Sequence, residues 1–244
     1  MVSVCRSVVV CIAFGKIIDY NTANHHYETT TPQHYDNTTL SNMKIICIGR
    51  NYAKHAKELN NPVPKQPLIF MKPDTAMLVN RKPFFYPEFT KDLHYEAEVV
   101  LKVCKNGKHV EPEFAHKYYD KLTIGLDLTA RDIQARCKEK GHPWEIAKGF
   151  DGSAVLGEFI SMADFQADNI GFHLNKNGET VQKGNTNDLI FSFDYIISYV
   201  SKIFRLHMGD LIFTGTPEGV GPLQVGDELE GFIGERRLLE CRIK

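Results

Sequence analysis

The sequence predicts a strand-rich, mixed α+β fold, and three observations carry that expectation. Residues Leu93–Val103 alternate apolar and polar side chains, the period of a half-buried strand. Asn177-Gly178 separates two strand-like runs, the pattern of a two-residue hairpin. The clear helical segments, near Thr129–Lys140 and Tyr195–Ile203, are few and short beside the strand signals.

The elements follow in chain order. Met1–Asn42 is expected to be an extension, disordered or an upstream start-site artefact, because after the short apolar run Val8–Phe14 it turns polar and Thr-rich. A secretory signal fits poorly: Gly15-Lys-Ile-Ile18 follows the run where a small-x-small cleavage site belongs. The folded unit is expected to span residues 43–244, starting with a strand at Lys44–Ile48. Tyr52–Leu59 reads as a short helix. In Leu93–Val103 every odd residue is apolar, and the even ones are polar except Val100. Leu122–Leu128 is a second strand. Thr129 is then expected to cap a helix, with Asp132 closing a capping box, and Gly141 to end it. The hairpin pairs Gly171–Leu174 with Glu179–Gln182. The helix at Tyr195–Ile203 precedes strands at Asp210–Phe213, Glu228–Ile233 and Leu238–Ile243.

Composition narrows the function. The chain of 244 residues carries 29 Lys+Arg against 30 Asp+Glu, so it lacks the basic excess of a nucleic-acid binder. Its apolar runs fall short of the roughly 18–20 residues that span a bilayer. The six cysteines form no C-x-x-C pair, which points to reduced thiols in a cytoplasmic protein.

Four constellations bear chemistry. Glu96 and Glu98, two apart on a strand, leave one face of it, and Asp127 ends the next strand. Three converging carboxylates would suit a hard divalent cation such as Mg²⁺, Mn²⁺ or Ca²⁺. By itself Glu-x-Glu is more often the solvated face of an antiparallel strand. His94 shares that face and is a further candidate ligand. On a helix, His55 and Glu58 meet at i and i+3, a carboxylate-oriented general base or merely an exposed pair. Lys148, in the glycine-bracketed loop Lys148-Gly-Phe-Asp-Gly152, could meet an oxyanion or sit in a surface turn. The loop Thr214-Gly-Thr-Pro-Glu-Gly-Val-Gly221 could bind an anion through backbone N–H groups or serve as a tight turn, and it is no P-loop.

Together these pieces resemble the fumarylacetoacetate hydrolase family. The matching stretches are Ile48-Gly-Arg-Asn-Tyr-Ala53, Phe70-Met-Lys-Pro73, Tyr95-Glu-Ala-Glu-Val99, Gly125–Gln134, Trp144 with Lys148-Gly-Phe-Asp151, and Gly209–Gly221. They span essentially all of 43–244, which the resemblance makes the catalytic domain. It implies a mixed β-sandwich roll with short helices, usually a homodimer. It implies Mg²⁺ or Mn²⁺ held by Glu96, Glu98 and Asp127. The helix bearing His55 and Glu58 resembles the mobile lid of the small acylpyruvate hydrolase and oxaloacetate decarboxylase branch. Lys148 matches a lysine facing the substrate, Gln134 and Thr216 match contacts to substrate oxygens, and Arg50 and Lys72 lie in segments that line the site.

The activity this implies is metal-dependent hydrolysis of a C–C bond in acylpyruvate-type 2,4-dioxo acids, with His55, Glu58 and Lys148 catalytic. The alternatives are oxaloacetate decarboxylation or tautomerisation, or isomerisation of a 2-hydroxyhepta-2,4-diene-1,7-dioate type. A non-catalytic metal-holding homologue is disfavoured, because His55, Glu58 and Lys148 are all retained. The expected partner is a small 2-oxo or 2,4-dioxo acid. Removing residues 1–42 is expected to leave the melting temperature of the protein within about 2 °C of the full chain, since few apolar residues there can offset the ordering entropy; a differential scanning calorimetry trace checks this.

Overall fold

In the computed structural model, residues 43–58, 62–79 and 81–244 are described, and the apolar runs become the strands of three sheets. The expected extension, residues 1–42, lies outside the described residues. The largest sheet has eight strands. Its order is β2 (Leu68–Lys72), β1 (Ile45–Gly49), β12 (Leu211–Phe213), β5 (Ala97–Val103), β6 (Tyr119–Asp127), β8 (Ala154–Leu156) and β3 (Met77–Val79), with β9 (Ile160–Ser161) also paired to β6. It is mixed: β1–β12 and β3–β8 run parallel, the other pairs antiparallel. A four-stranded antiparallel sheet has the order β11 (Glu179–Asn185), β10 (Gly171–Lys176), β14 (Glu228–Ile233) and β15 (Arg236–Arg242). A three-stranded ribbon joins β13 (Gly221–Pro222), β4 (Leu93–Tyr95) and β7 (Thr129–Ala130). The helices are α1 (Ala53–Glu58), α2 (Arg131–Lys140), α3 (Glu145–Lys148) and α4 (Phe193–Ile203). No helix among the described residues is long and apolar enough to cross a membrane.

The large sheet is buried on both faces, which explains why β1 reads Ile-Ile-Cys-Ile without alternation. On one face Ile46, Ile48, Val99, Leu101, Leu122, Ile124 and Leu126 join Phe172, Leu174, Leu229 and Ile233 of the four-stranded sheet. On the other, Ile45, Cys47, Val100, Leu211 and Phe213 are buried with Ala154 and Leu156. Val100, the misfit in the expected alternation, is therefore a core residue of the second face. Each such Val, Leu, Ile or Phe side chain, fully withdrawn from water, contributes about 1.5–3 kcal/mol. The four described cysteines are free, as expected of reduced thiols.

Two local expectations need correction. Leu93–Val103 is not one strand. It breaks at Glu96, where the chain leaves the small ribbon and enters the large sheet. The freed Ala97 N–H donates instead to Gln182 Oε1, at 2.9 Å. Nor does Thr129 cap α2: it lies in β7, its hydroxyl donates to the Asp127 carbonyl at 3.1 Å, and Ala130 stands at the cap position. Asp132 turns to Thr90, accepting from its hydroxyl at 2.6 Å. The tertiary partner wins because Thr129 is already paired with His94 across the ribbon. The expected end of α2 at left-handed Gly141 and the Asn177-Gly178 hairpin, with both residues left-handed, are as the sequence suggests.

The turn from β1 into α1 is pinned by Asn51, which is fully buried. Its side-chain amide donates to the carbonyls of Phe191 and Thr214 at 3.0 and 2.8 Å, and its Oδ1 accepts from Phe191 N–H at 2.8 Å. Asn51→Ala leaves these buried groups without partners and is expected to cost about 3 kcal/mol of stability, each orphaned buried group being worth about 1–3 kcal/mol. Urea unfolding of the variant against the parent protein measures it.

Candidate active site

Glu96 sits at the break between β4 and β5, Glu98 one residue into β5's ladder, and Asp127 at the end of β6 beside it. Neighbouring antiparallel strands thus deliver three carboxylates to one point. Their exposures are 6%, 3% and 1%, so the Glu-x-Glu face is not solvated. One carboxylate oxygen from each lies within 4.8 Å of the others, and among the described residues this is the group of ligand-type side chains that gathers so closely.

Three buried like charges repel, and cations answer them. Lys148 Nζ donates to Glu96 Oε2 at 2.8 Å and to Asp127 Oδ2 at 2.6 Å. Lys72 Nζ stands 2.8 Å from Asp127 Oδ1. Arg131 Nη2 donates to Glu96 Oε1 at 2.5 Å. Burial opposes ionisation of Glu96, but Lys148 and Arg131 outweigh it and hold its pKa well below the carboxylate range. Burial would likewise lower the pKa of Lys148, yet Asp127 and Glu96 outweigh it and raise it. Glu98 differs. It has no cation within ion-pair distance among the described residues, and burial together with Asp127 and Glu96 pushes its pKa well above the ordinary value.

What Glu98 does have is a backbone donor. Gly215 N–H meets its Oε2 at 2.7 Å. The Gly-rich loop after β12 does the same for Glu58, whose Oε1 accepts from Gly219 N–H at 3.1 Å. Both glycines have positive φ, 108° and 91°, and a Cβ on either would press within 2.7 Å of Asn51 Cβ or 2.5 Å of the Val181 carbonyl. The loop is an anion-binding turn whose anions are the protein's own carboxylates. Glu58 in turn approaches His55 Nδ1 with its other oxygen, at 3.2 Å, and His55 is buried although Ala53, Lys54 and Glu58 of the same helix are exposed.

The structure brings His55, Glu96, Glu98, Asp127, Gln134, Lys148, Thr216 and Arg50 to the wall of one cavity of about 30 Å³, the room of a single water. Gln134 accepts from Arg131 Nη1 at 2.7 Å, and Thr216 accepts from Gln182 Nε2 at 2.9 Å. Lys148 is the last residue of the single-turn helix α3 rather than a loop residue, and its ammonium lies 5.2 Å from the Phe70 ring centre. Two expected residues are placed otherwise. Lys72 is not on the cavity wall. Its side chain is completely buried beneath Asp127, bonded to the Ser153 hydroxyl and carbonyl at 3.0 and 3.1 Å and to the Lys148 carbonyl. A lysine there serves as an internal counter-ion. His94 turns away to Asp92 (2.9 Å) and is not among the gathered carboxylates.

Sequence reasoning missed Arg131, Gln182 and Lys138. Arg131 and Lys138 had a signal, since with Gln134 they fall at i, i+3 and i+7 and so share one face of α2. Gln182 had none, because its role depends on the four-stranded sheet folding back over Ala97.

A β-rich scaffold gathering three buried carboxylates around a small polar cavity defines an acid-rich site of the kind that suits a hard divalent cation. Residues 44–244 match the fumarylacetoacetate (FAA) hydrolase C-terminal family, and the chain belongs to that family. It is 44% identical over 191 residues to the oxaloacetate tautomerase FAHD1, mitochondrial, of Arabidopsis thaliana, covering 78% of this chain and 86% of that protein. Against the oxaloacetate tautomerase YcgM of Escherichia coli strain K12 the identity is 43% over 188 residues, covering 76% and 86%. Among solved structures, the fumarylpyruvate hydrolase of Pseudomonas aeruginosa in complex with Mn²⁺ and pyruvate superposes with a TM-score of 0.77 at 37% identity, covering 82% of this chain and 88% of that one. The relatives are enzymes, and the sandwich of sheets expected from the motifs is the family's fold.

The donor set fits a divalent ion: all-oxygen, buried, and with one carboxylate, Glu98, left without a cation partner among the described residues. A ligand must be deprotonated to bind, and a raised pKa keeps Glu98 protonated to higher pH. Mn²⁺ affinity is therefore expected to be tighter at about pH 8 than at about pH 6, with protons released on binding. Calorimetric titration in two buffers of different ionisation enthalpy checks both.

Proposed function

We propose that the protein catalyses keto–enol tautomerisation of a short 2-oxo acid of the oxaloacetate type, assisted by Mg²⁺ or Mn²⁺ held by Glu96, Glu98 and Asp127. The observation that carries this reading is one cavity combining that buried carboxylate trio, a cationic Lys148 and a carboxylate-oriented His55. The named oxaloacetate tautomerases, more similar than the fumarylpyruvate hydrolase, favour it over the acylpyruvate hydrolysis suggested by the lid dyad alone.

The bound ion would polarise the keto oxygen and stabilise negative charge developing there. The rest falls to the chain. Glu58, steadied by Gly219 N–H, holds Nδ1 of His55 and leaves Nε2 as the basic nitrogen. His55 takes a proton from C3 of the oxo acid. Lys148 meets the charge moving onto the C2 oxygen, and return of the proton from His55 to that oxygen completes the enol. Gln134 and Thr216 orient substrate oxygens, each fixed by a neighbour of its own.

A second reading rests on the likeness to a fumarylpyruvate hydrolase. There His55 with Glu58 would deprotonate a water, which attacks the distal carbonyl of a 2,4-dioxo acid and breaks the C–C bond. Ultraviolet assays on oxaloacetate and acetylpyruvate, with and without Mg²⁺, separate the two. Ion-dependent interconversion of oxaloacetate keto and enol forms is expected, and cleavage of acetylpyruvate without it would sink the tautomerase reading. His55→Ala is expected to slow the reaction about 10²–10⁴-fold, the usual contribution of a general base, while Mn²⁺ affinity stays near that of the parent.

A further inference from the structure

Four cations line the cavity: Arg50, Arg131, Lys138 and Lys148. Lys148 and Arg131 are spent on Glu96 and Asp127. Arg50 and Lys138 make no ion pair with any described carboxylate. Lys138 stands at the outer end of the α2 face that begins with Arg131 and continues through Gln134. Long side chains on a helix lean back toward its N-terminus, so Lys138 extends over the turn that carries Gln134, toward the cavity. The ammonium lies 5.7 Å from the centre of the Trp144 ring, which itself packs against Phe70. Arg50 reaches the same cavity from the β1–α1 turn, where its φ of 60° is an unusual conformation for a side chain of that size. Counting Lys72 beneath Asp127, three cations answer the three carboxylates, and Arg50 and Lys138 remain on the cavity wall as two positive charges without a carboxylate partner among the described residues.

We propose that Lys138, with Arg50, binds the distal carboxylate of a dicarboxylic 2-oxo acid and so sets substrate specificity. The inference rests on the reading that a 2-oxo acid binds with its keto end at the carboxylate trio. Three C–C bonds of about 1.5 Å each separate a terminal carboxylate from a keto-acid carboxylate in a four-carbon chain. The second charge of such a substrate is thus carried a few ångströms outward from the trio, along the face that runs from Arg131 through Gln134 to Lys138. A charged terminus there gains a charge-assisted hydrogen bond that a methyl group cannot make.

The test compares oxaloacetate with 2-oxobutanoate, which has the same four-carbon chain with a methyl in place of the distal carboxylate. Calorimetric titration of the Mg²⁺-loaded protein is expected to show about tenfold tighter binding of oxaloacetate. In Lys138→Met that preference is expected to fall to about twofold, with 2-oxobutanoate affinity little changed, and Lys138→Arg is expected to restore it. In turnover of oxaloacetate the loss should appear in KM more than in kcat. Equal affinity for the two acids in the parent protein, or an undiminished preference in Lys138→Met, overturns the proposal. A parent protein that prefers oxaloacetate, loses that preference in Lys138→Met, and yet does not tautomerise it leaves the subsite standing while the proposed reaction falls.

Discussion

The balance between three buried carboxylates and the cations packed around them governs this structure. Glu96, Glu98 and Asp127 are almost wholly removed from water, where unpaired charge costs several kcal/mol per ion. Lys72 holds Asp127 from below, Lys148 bridges Asp127 and Glu96, and Arg131 closes on Glu96 from α2. Elements far apart in sequence must therefore meet at one point. The strand break at Glu96, the short helix α3 with Lys148 and the helix α2 with Arg131 each bring one charged group to that meeting.

Glu98 is the exception that makes the site receptive to a cation. Its one strong partner is a backbone N–H, and its neighbours repel its charge. The same glycine-rich loop reaches Glu58, so one turn steadies both a trio carboxylate and the group that orients His55. The acidic centre and the proposed base are coupled through a single segment of backbone, and the loop's positive-φ glycines are what allow it to approach both.

Much of this was legible in the residues. The alternation in Leu93–Val103 marked the strand region in which Glu96 stands at the break and Glu98 lies in β5, and the spacing of His55 and Glu58 marked a pair that the structure brings to 3.2 Å. Lys72 was misplaced because its neighbours in sequence do line the site. Only packing reveals that a lysine at the end of β2 points beneath Asp127, where the carbonyls of Lys148 and Ser153 can solvate it. Thr129 was misplaced because a capping box is a local signal, and pairing across the ribbon to His94 outweighed it. Lys138 carried a readable helical phase, but its meaning depends on Trp144 and Arg50, which come from other elements.

The sequence by itself determined the strand-rich class, the hairpin, the main helices and most of the polar side chains that gather at the cavity, because these follow from short-range periodicity and from residue types in fixed order. Only the tertiary structure decided which carboxylates are buried together, which lysine faces the cavity and which lies under it, and whose charge remains unanswered. Those outcomes depend on distances between segments remote along the chain, and on the loss of water around them, which no local pattern records.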